Sequence, residues 1–292
     1  MYVWKQLSPS VVHRLALGPA FGMTDTGTAR PPNEDNFLID PGLGLIAVAD
    51  GMGGHEGGEV ASRDALVALA HYLRACQADD GGASMPRFKP SRYAPANDAK
   101  AAWNDATLAA MTTVHQAVEF ANQRMYQTNV DNQRGSGRGM GTTLTGMWQP
   151  AAGGPACVFH VGDTRLYRLR QGRLDQLTRD QTLYQDAHDA GARHNLPSRN
   201  LLMQALGPAC GVMPQLQTHQ VAPGDLFMLC SDGLHGVLAH EHIAGALEQA
   251  STGDLGATCA RLIEMAKRDG SRDNITVVLF SASEELMSGC AA

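Results

Sequence analysis

Leu45-Ile46-Ala47-Val48-Ala49-Asp50-Gly51-Met52-Gly53-Gly54-His55-Glu56-Gly57-Gly58-Glu59 runs from an unbroken apolar stretch into an acid and then a glycine-rich turn. Small and branched apolar residues in unbroken succession read as a strand buried on both faces. Asp50 falls at its end, where the chain leaves the core, and Gly51, Gly53 and Gly54 let the backbone turn sharply and approach a ligand closely. From Glu59 the pattern becomes helical, with Ala65, Leu69 and Leu73 four apart and Leu66 beside them, to about Cys76. One such Asp-Gly turn is commonplace. This chain repeats the device at Cys157–Asp163 and again at Leu226–Asp232, and it sets Asp273 just before the β-rich run Ile275–Phe280.

Outward from that stretch, the chain reads mostly as hairpins. Phe37-Leu38-Ile39 precedes Asp40-Pro41-Gly42-Leu43-Gly44, a strong hairpin signal. Residues 11–26 are short apolar pieces broken by Gly18, Pro19 and Gly22, one or two strands near a sheet edge. Between them Pro31 and Pro32 force an extended loop, with Arg30 on one side and Glu34-Asp35 on the other. Residues 77–105 look like a surface insertion, because nothing in their Gly- and Pro-rich part could build a core. A helix over about 99–129 carries Met111, Val114, Val118, Ala121 and Met125 on one face, which is plain core packing. Gly135, Gly137, Gly139 and Gly141 punctuate the next loop. A phosphate-cradling glycine loop opens a helix, whereas Thr143 to Trp148 alternates as a strand, so these glycines serve a turn.

Leu166–Arg170 and Leu174–Leu177 form a meander around Gln171-Gly172. Residues 180–200 are polar and helix-like up to Gly191, Gln215 to Val221 is a further strand, and helices follow at about 240–250 and 254–268. Hairpin-connected strands, with two helices after the first of them and two near the end, predict α+β layering in one domain.

Composition narrows the classes. The 292 residues are 43% hydrophobic and 18% charged, enough for a substantial core. A net charge of −6 leaves no basic footprint, so no nucleic acid is expected. No apolar run approaches a membrane span, and the first twenty residues lack a signal-peptide core. The six cysteines form no CxxC pair, which argues against a zinc ribbon or a disulfide framework; a cytoplasmic protein with reduced thiols is expected. His240 and His242, two apart, leave opposite sides of a helix. No cysteine is followed six places later by arginine, and no Gly-x-Ser-x-Gly elbow occurs.

If these strand ends share one rim, Asp50, Asp163, Asp232 and Asp273 join Glu34 and Asp35 in a crowded carboxylate cluster. Carboxylates brought together resist ionisation, so the cluster calls for cations. Oxygen donors without thiolates favour Mg²⁺ or Mn²⁺. Two such ions roughly 3.5–4 Å apart would activate a bridging water for in-line displacement at phosphorus. Arg30 offers a two-pronged guanidinium to a phosphate.

Arg30-x-x-Asn33-Glu34-Asp35, Ala49-Asp50-Gly51-Met52-Gly53-Gly54-His55, Gly139-Met140-Gly141-Thr142-Thr143, His160-Val161-Gly162-Asp163-Thr164-Arg165, Cys230-Ser231-Asp232-Gly233-Leu234 and Asp273-Asn274-Ile275-Thr276 occur in this order. They resemble the ordered motifs of the metal-dependent protein phosphatase family, type 2C, and most of all its bacterial serine/threonine branch. The resemblance covers about residues 20–281 and implies one domain over 1–292. It implies a four-layer αββα sandwich of two antiparallel sheets flanked by helices, with Mn²⁺ or Mg²⁺ at one rim. By position, Asp50 would bridge two core ions, with the Gly51 carbonyl on one and Asp232 and Asp273 on the other. Glu34 and Asp35 would orient metal-bound waters, Arg30 would bind the phosphoryl group, and Asp163 with Asp232 would hold a looser third ion. The implied substrate is a phosphoserine or phosphothreonine protein, opposing a Ser/Thr kinase, and the implied state is a monomer away from membranes.

Some features depart from the family pattern. Met52 stands where eukaryotic relatives carry a histidine proposed as general acid, and Gly236 where many relatives have a further acid. The flap segment, 180–207, is short, and 77–105 is extra material. Two other readings of the same fold stay open: a catalytically silent phosphoprotein-binding scaffold, whose mark would be loss of Asp50, Asp232 or Asp273, and a hydrolase of small phosphoesters.

Overall fold

A computed structural model describes residues 7–30, 32–53, 57–78, 105–134, 139–150, 154–250 and 254–283. The chain begins with β1 (His13–Leu15), β2 (Gly18–Asp25), β3 (Asp35–Asp40) and β4 (Leu45–Met52), then α1 (Gly58–Ala78) and α2 (Asp105–Asp131). Next come β5 (Gly141–Thr142), β6 (Leu144–Trp148), β7 (Ala156–Val161), β8 (Arg165–Arg170), β9 (Arg173–Gln176) and α3 (Leu183–Asp189). The last part is β10 (Gln215–His219), β11 (Leu226–Cys230), α4 (Asp232–His235), α5 (His240–Glu248), α6 (Leu255–Arg268) and β12 (Ile275–Ser281).

Two antiparallel sheets lie face to face. One has the order β1-β2-β12-β11-β8-β9, the other β10-β7-β6-β4-β3, with β5 paired to β4. Side-chain alternation explains the layering, because successive residues of a strand face opposite ways. On β4, Ile46 and Val48 enter the core between the sheets, whereas Leu45, Ala47 and Ala49 pack under α1 and α2. On β12, Val278 and Phe280 face the inter-sheet core, and Ile275, Val277 and Leu279 pack under α5 and α6. Each central strand is thus covered on both faces, which is why it reads as an unbroken apolar run. Phe227 and Phe280 stack in the inter-sheet core at 5.9 Å between ring centroids, and each fully buried ring contributes on the order of 1.5–3 kcal/mol. The fold is the αββα sandwich that the family resemblance implies.

Some local expectations shift. The strand expected from Thr143 begins at Leu144 as β6, and a short β5 precedes it where a turn was expected. Asp232, expected at a strand end, opens α4. The helix expected from about 99 begins at Asp105 among the described residues. Of the expected insertion, residues 77 and 78 close α1 and Asp105 opens α2; residues 79–104 lie outside the described residues.

Candidate metal centre

Strand pairing brings the acids to one end of the sandwich. In one sheet Asp35 and Asp50 are direct cross-strand partners, an arrangement that like charges disfavour. In the other, Cys230 of β11 pairs with Val277 of β12 and Arg165 of β8. The segments carrying Asp232, Asp273 and Asp163 therefore leave their strands at the same end.

The backbone around Asp50 is held from both sides. Its amide donates to Thr143 Oγ1 at 2.9 Å, and its carbonyl accepts from the Thr143 amide at 2.9 Å and from Thr142 Oγ1 at 2.8 Å. This exchange holds Thr143 between β5 and β6. The Gly51 amide donates to the Glu34 carbonyl at 3.1 Å. A Cβ on Gly51 would lie 2.0 Å from the Gly58 carbonyl oxygen, so only glycine lets α1 start this close to the end of β4. Glu34 receives the Gly58 amide at the first turn of α1, where a carboxylate suits the helix dipole. Its own amide donates to Asn274 Oδ1 at 2.9 Å.

Asp163 sits in a tight turn with Gly162 at φ +102°. The turn is clamped by the root of the flap segment. Gly162 N–H donates to Gln181 Oε1 at 2.9 Å, Gln181 N–H returns to Gly162 O at 2.8 Å, and Arg165 makes a two-pronged pair with Asp180 at 2.8 and 2.6 Å. His235 Nε2 lies 2.9 Å from the Asp163 carbonyl oxygen.

Charge in this cluster is under strain. Burial pushes the Asp50 carboxyl well above the ordinary range, and Asp35, Asp232, Asp163 and Asp273 push it further. Asp163 is pushed up to about 8, by burial and then by Asp232 and Asp180. Asp35 rises to about 7 through burial, against the bonds from Ser231 and Thr276. Asp232 rises to about 6 through burial and Asp273, with Arg30 opposing. Glu34 is also raised by burial, with Arg30 again opposing. Arg30, half exposed, places Nη2 2.9 Å from Asp273 Oδ2.

Asp232 Oδ1 is buried without a hydrogen-bond partner, a costly state for a carboxylate oxygen. Repelling carboxylates, an orphaned oxygen and a donor set made of oxygen all fit a hard divalent cation. Among the described residues no three acid, histidine or cysteine side chains are grouped closely enough to hold a metal ion by themselves. An ion here would draw part of its shell from water and backbone carbonyl, as Mg²⁺ readily does.

The structure therefore gathers Asp50, Gly51, Asp163, Asp232, Asp273, Glu34, Asp35 and Arg30 at one rim. Sequence reasoning missed the groups that hold them: Thr143 on Asp50, Ser231 and Thr276 on Asp35, Asn274 on Glu34 and His235 on Asp163. Most of these lie inside the quoted motifs, but nothing in their spacing says which way a hydroxyl or amide turns.

An αββα sandwich with carboxylates from both sheets on one rim defines the class, and the comparisons agree with it. Residues 28–276 match the family described as Protein phosphatase 2C, and the chain belongs to that family. The serine/threonine protein phosphatase PstP of Mycobacterium tuberculosis is 36% identical over 264 residues, covering 88% of this chain and 43% of PstP. The chain thus spans less than half the length of that relative. The protein phosphatase PhpP of Streptococcus pneumoniae is 28% identical over 275 residues, covering 90% of this chain and 97% of PhpP. A crystal structure of the catalytic domain of PstP in complex with two manganese ions is similar at a TM-score of 0.69 and 32% identity, covering 91% of this chain and 98% of that one.

Proposed function

We propose that this chain is a Mn²⁺- or Mg²⁺-dependent protein serine/threonine phosphatase that hydrolyses phosphoserine and phosphothreonine by direct attack of water. The observation that carries the reading is the rim itself, where buried carboxylates of both sheets repel one another and Asp232 Oδ1 has no partner. The manganese-bound PstP catalytic domain supports the same reading.

Asp50, the Gly51 carbonyl, Asp232 and Asp273 would hold two ions, and Asp163 with Asp232 a looser third. When bound, such ions supply a water that is nucleophilic at neutral pH and neutralise charge on the phosphoryl oxygens. Glu34 and Asp35 accept hydrogen bonds from water at the site and so orient it. Arg30 binds the phosphoryl group once Asp273 is engaged elsewhere. Met52 has no transferable proton, so the leaving oxygen takes its proton from water or another group. The substrate class is phosphorylated protein, and the partner activity is a Ser/Thr kinase.

The test compares phosphothreonine, phosphoserine and phosphotyrosine peptides with a small aryl phosphate, all in Mn²⁺. Higher kcat/KM on the phosphothreonine and phosphoserine peptides is expected. Binding without turnover would favour a silent scaffold, and a preference for the small ester would favour a small-phosphoester hydrolase.

A further inference from the structure

Asn33, Ser231 and Thr276 belong to the ordered motifs but have no part in the chemistry above. Their hydrogen bonds converge on Asp35. Asp35 Oδ2 accepts from Ser231 Oγ and from Thr276 Oγ1, each at 2.7 Å, and all three residues are buried. Thr276 Oγ1 is also 2.7 Å from Thr24 Oγ1. Thr24 Oγ1 in turn accepts from Asn33 Nδ2 at 2.9 Å. The Asn33 amide is oriented by its Oδ1, which accepts the Asp35 amide at 3.1 Å.

A hydroxyl has a single proton to give. Thr276 gives its proton to Asp35, so it accepts from Thr24, and Thr24 accepts from Asn33. The chain runs one way, from Asn33 through Thr24 and Thr276 to Asp35. Ser231 is the N-cap of α4, yet its hydroxyl makes no capping bond to the helix. The oxygen accepts the Thr276 amide at 3.0 Å, and its proton points to Asp35; the other acceptor, the Asn274 carbonyl, is at 3.5 Å and too long to compete. Asp35 belongs to one sheet, whereas Thr24, Thr276 and Ser231 belong to strands β2 and β12 and the end of β11 in the other. The hydroxyls therefore reach across the sandwich to grip a carboxylate of the opposite sheet.

We propose that Ser231 and Thr276 are positioning residues for Asp35. Two O–H donors occupy Oδ2 and exclude a proton from it, which leaves Oδ1 to accept from water at the phosphoryl-transfer site. This rests on the reading of Asp35 as a group that orients water. A purely structural pair of hydroxyls would close the polar core without affecting turnover separately from stability.

The test measures turnover of a phosphothreonine peptide in Mn²⁺ for Thr276→Val, Ser231→Ala, Thr276→Ser, Asp35→Asn and the double variant Thr276→Val/Asp35→Asn. Mn²⁺ binding by calorimetry and thermal unfolding are followed in parallel. Thr276→Val and Ser231→Ala should each lower kcat roughly ten- to a hundredfold, with KM and Mn²⁺ stoichiometry held. Thr276→Ser should recover most of the loss, and the double variant should be no slower than Asp35→Asn alone. If Thr276→Val does not fold, Ser231→Ala carries the same prediction. Wild-type kcat in both single variants while Asp35→Asn collapses would overturn the positioning role alone. So would a double variant whose loss is the product of the singles, or loss of Mn²⁺ binding shared by Thr276→Val and Thr276→Ser. Full activity in Asp35→Asn would instead sink the reading of Asp35 itself, and the proposal with it.

Discussion

Asp35 faces Asp50 across β3 and β4, and both lie within the field of Asp232 and Asp273. At the scale of single residues the acids were legible because each ends or precedes an apolar run, a pattern shared by Asp40 and Asp225, which pair with Arg74 and Arg170 instead. The groups that hold them were not. Ser231 is 196 residues from Asp35 and Thr276 is 241, and no local pattern announces a contact at that separation. Arg30 was legible from its proline loop, but its pairing with Asp273 was not. That pairing sets a prediction. Arg30 is half exposed and can exchange Asp273 for a phosphoryl group, so its contribution should be to binding in ground and transition states alike. Arg30→Ala should raise KM for phosphopeptides more than it lowers kcat in steady-state kinetics. An unchanged KM with a collapsed kcat would place the guanidinium in the transition state only.

The turn between β7 and β8 shows what the elements add. Gly162 and Arg165 are tied to Gln181 and Asp180 at the root of the flap segment, and His235 of α4 reaches the Asp163 carbonyl. Sequence pattern found β7, β8 and β9 and the helices near the C-terminus, because their periodicity is strong. It missed β5, whose end is held by backbone bonds from Thr142 to Leu206 and from Thr143 to Asp50, and the opening of α4 at Asp232, a single turn too short to show a period. With Gly236 contributing no carboxylate, a third ion near Asp163 would rest on Asp163, Asp232 and water. Fewer charged ligands mean weaker binding. Calorimetric titration with Mn²⁺ should show two tight sites and a weaker one in the wild type, and Asp163→Ala should lose the weak site while keeping the tight pair and turning over phosphopeptides more slowly. Equal stoichiometry and equal activity in the two proteins would make Asp163 structural.

In the whole molecule, sheets covered on both faces put β4, β11 and β12 in apolar surroundings, and that burial was legible in their unbroken apolar runs. Among the described residues no helix is long and apolar enough to cross a membrane. The cost of the fold is the carboxylate rim, and it predicts a pH dependence. Asp35 and Asp163, pushed up to about 7 and about 8 from an ordinary 3.8, hold protons in the folded chain that the unfolded chain has released. Stability of the ion-free protein therefore falls as pH rises through these values. The buried His160 and His235, pulled down to about 4 and about 3 from 6.5, work in the opposite sense but only below that value. Between about pH 6.5 and 8.5 the melting temperature in EDTA should drop, and saturating Mn²⁺ should flatten the curve; parallel curves in the two conditions would detach the rim from metal binding. The most direct measurement is phosphate release from a phosphothreonine peptide by the wild type and Asp232→Asn, in Mn²⁺, after EDTA, and after Mn²⁺ is restored in excess. The wild type should lose turnover in EDTA and regain it with Mn²⁺, and Asp232→Asn should stay several orders of magnitude slower than the wild type whenever Mn²⁺ is present. Full turnover in EDTA would contradict the account at its centre.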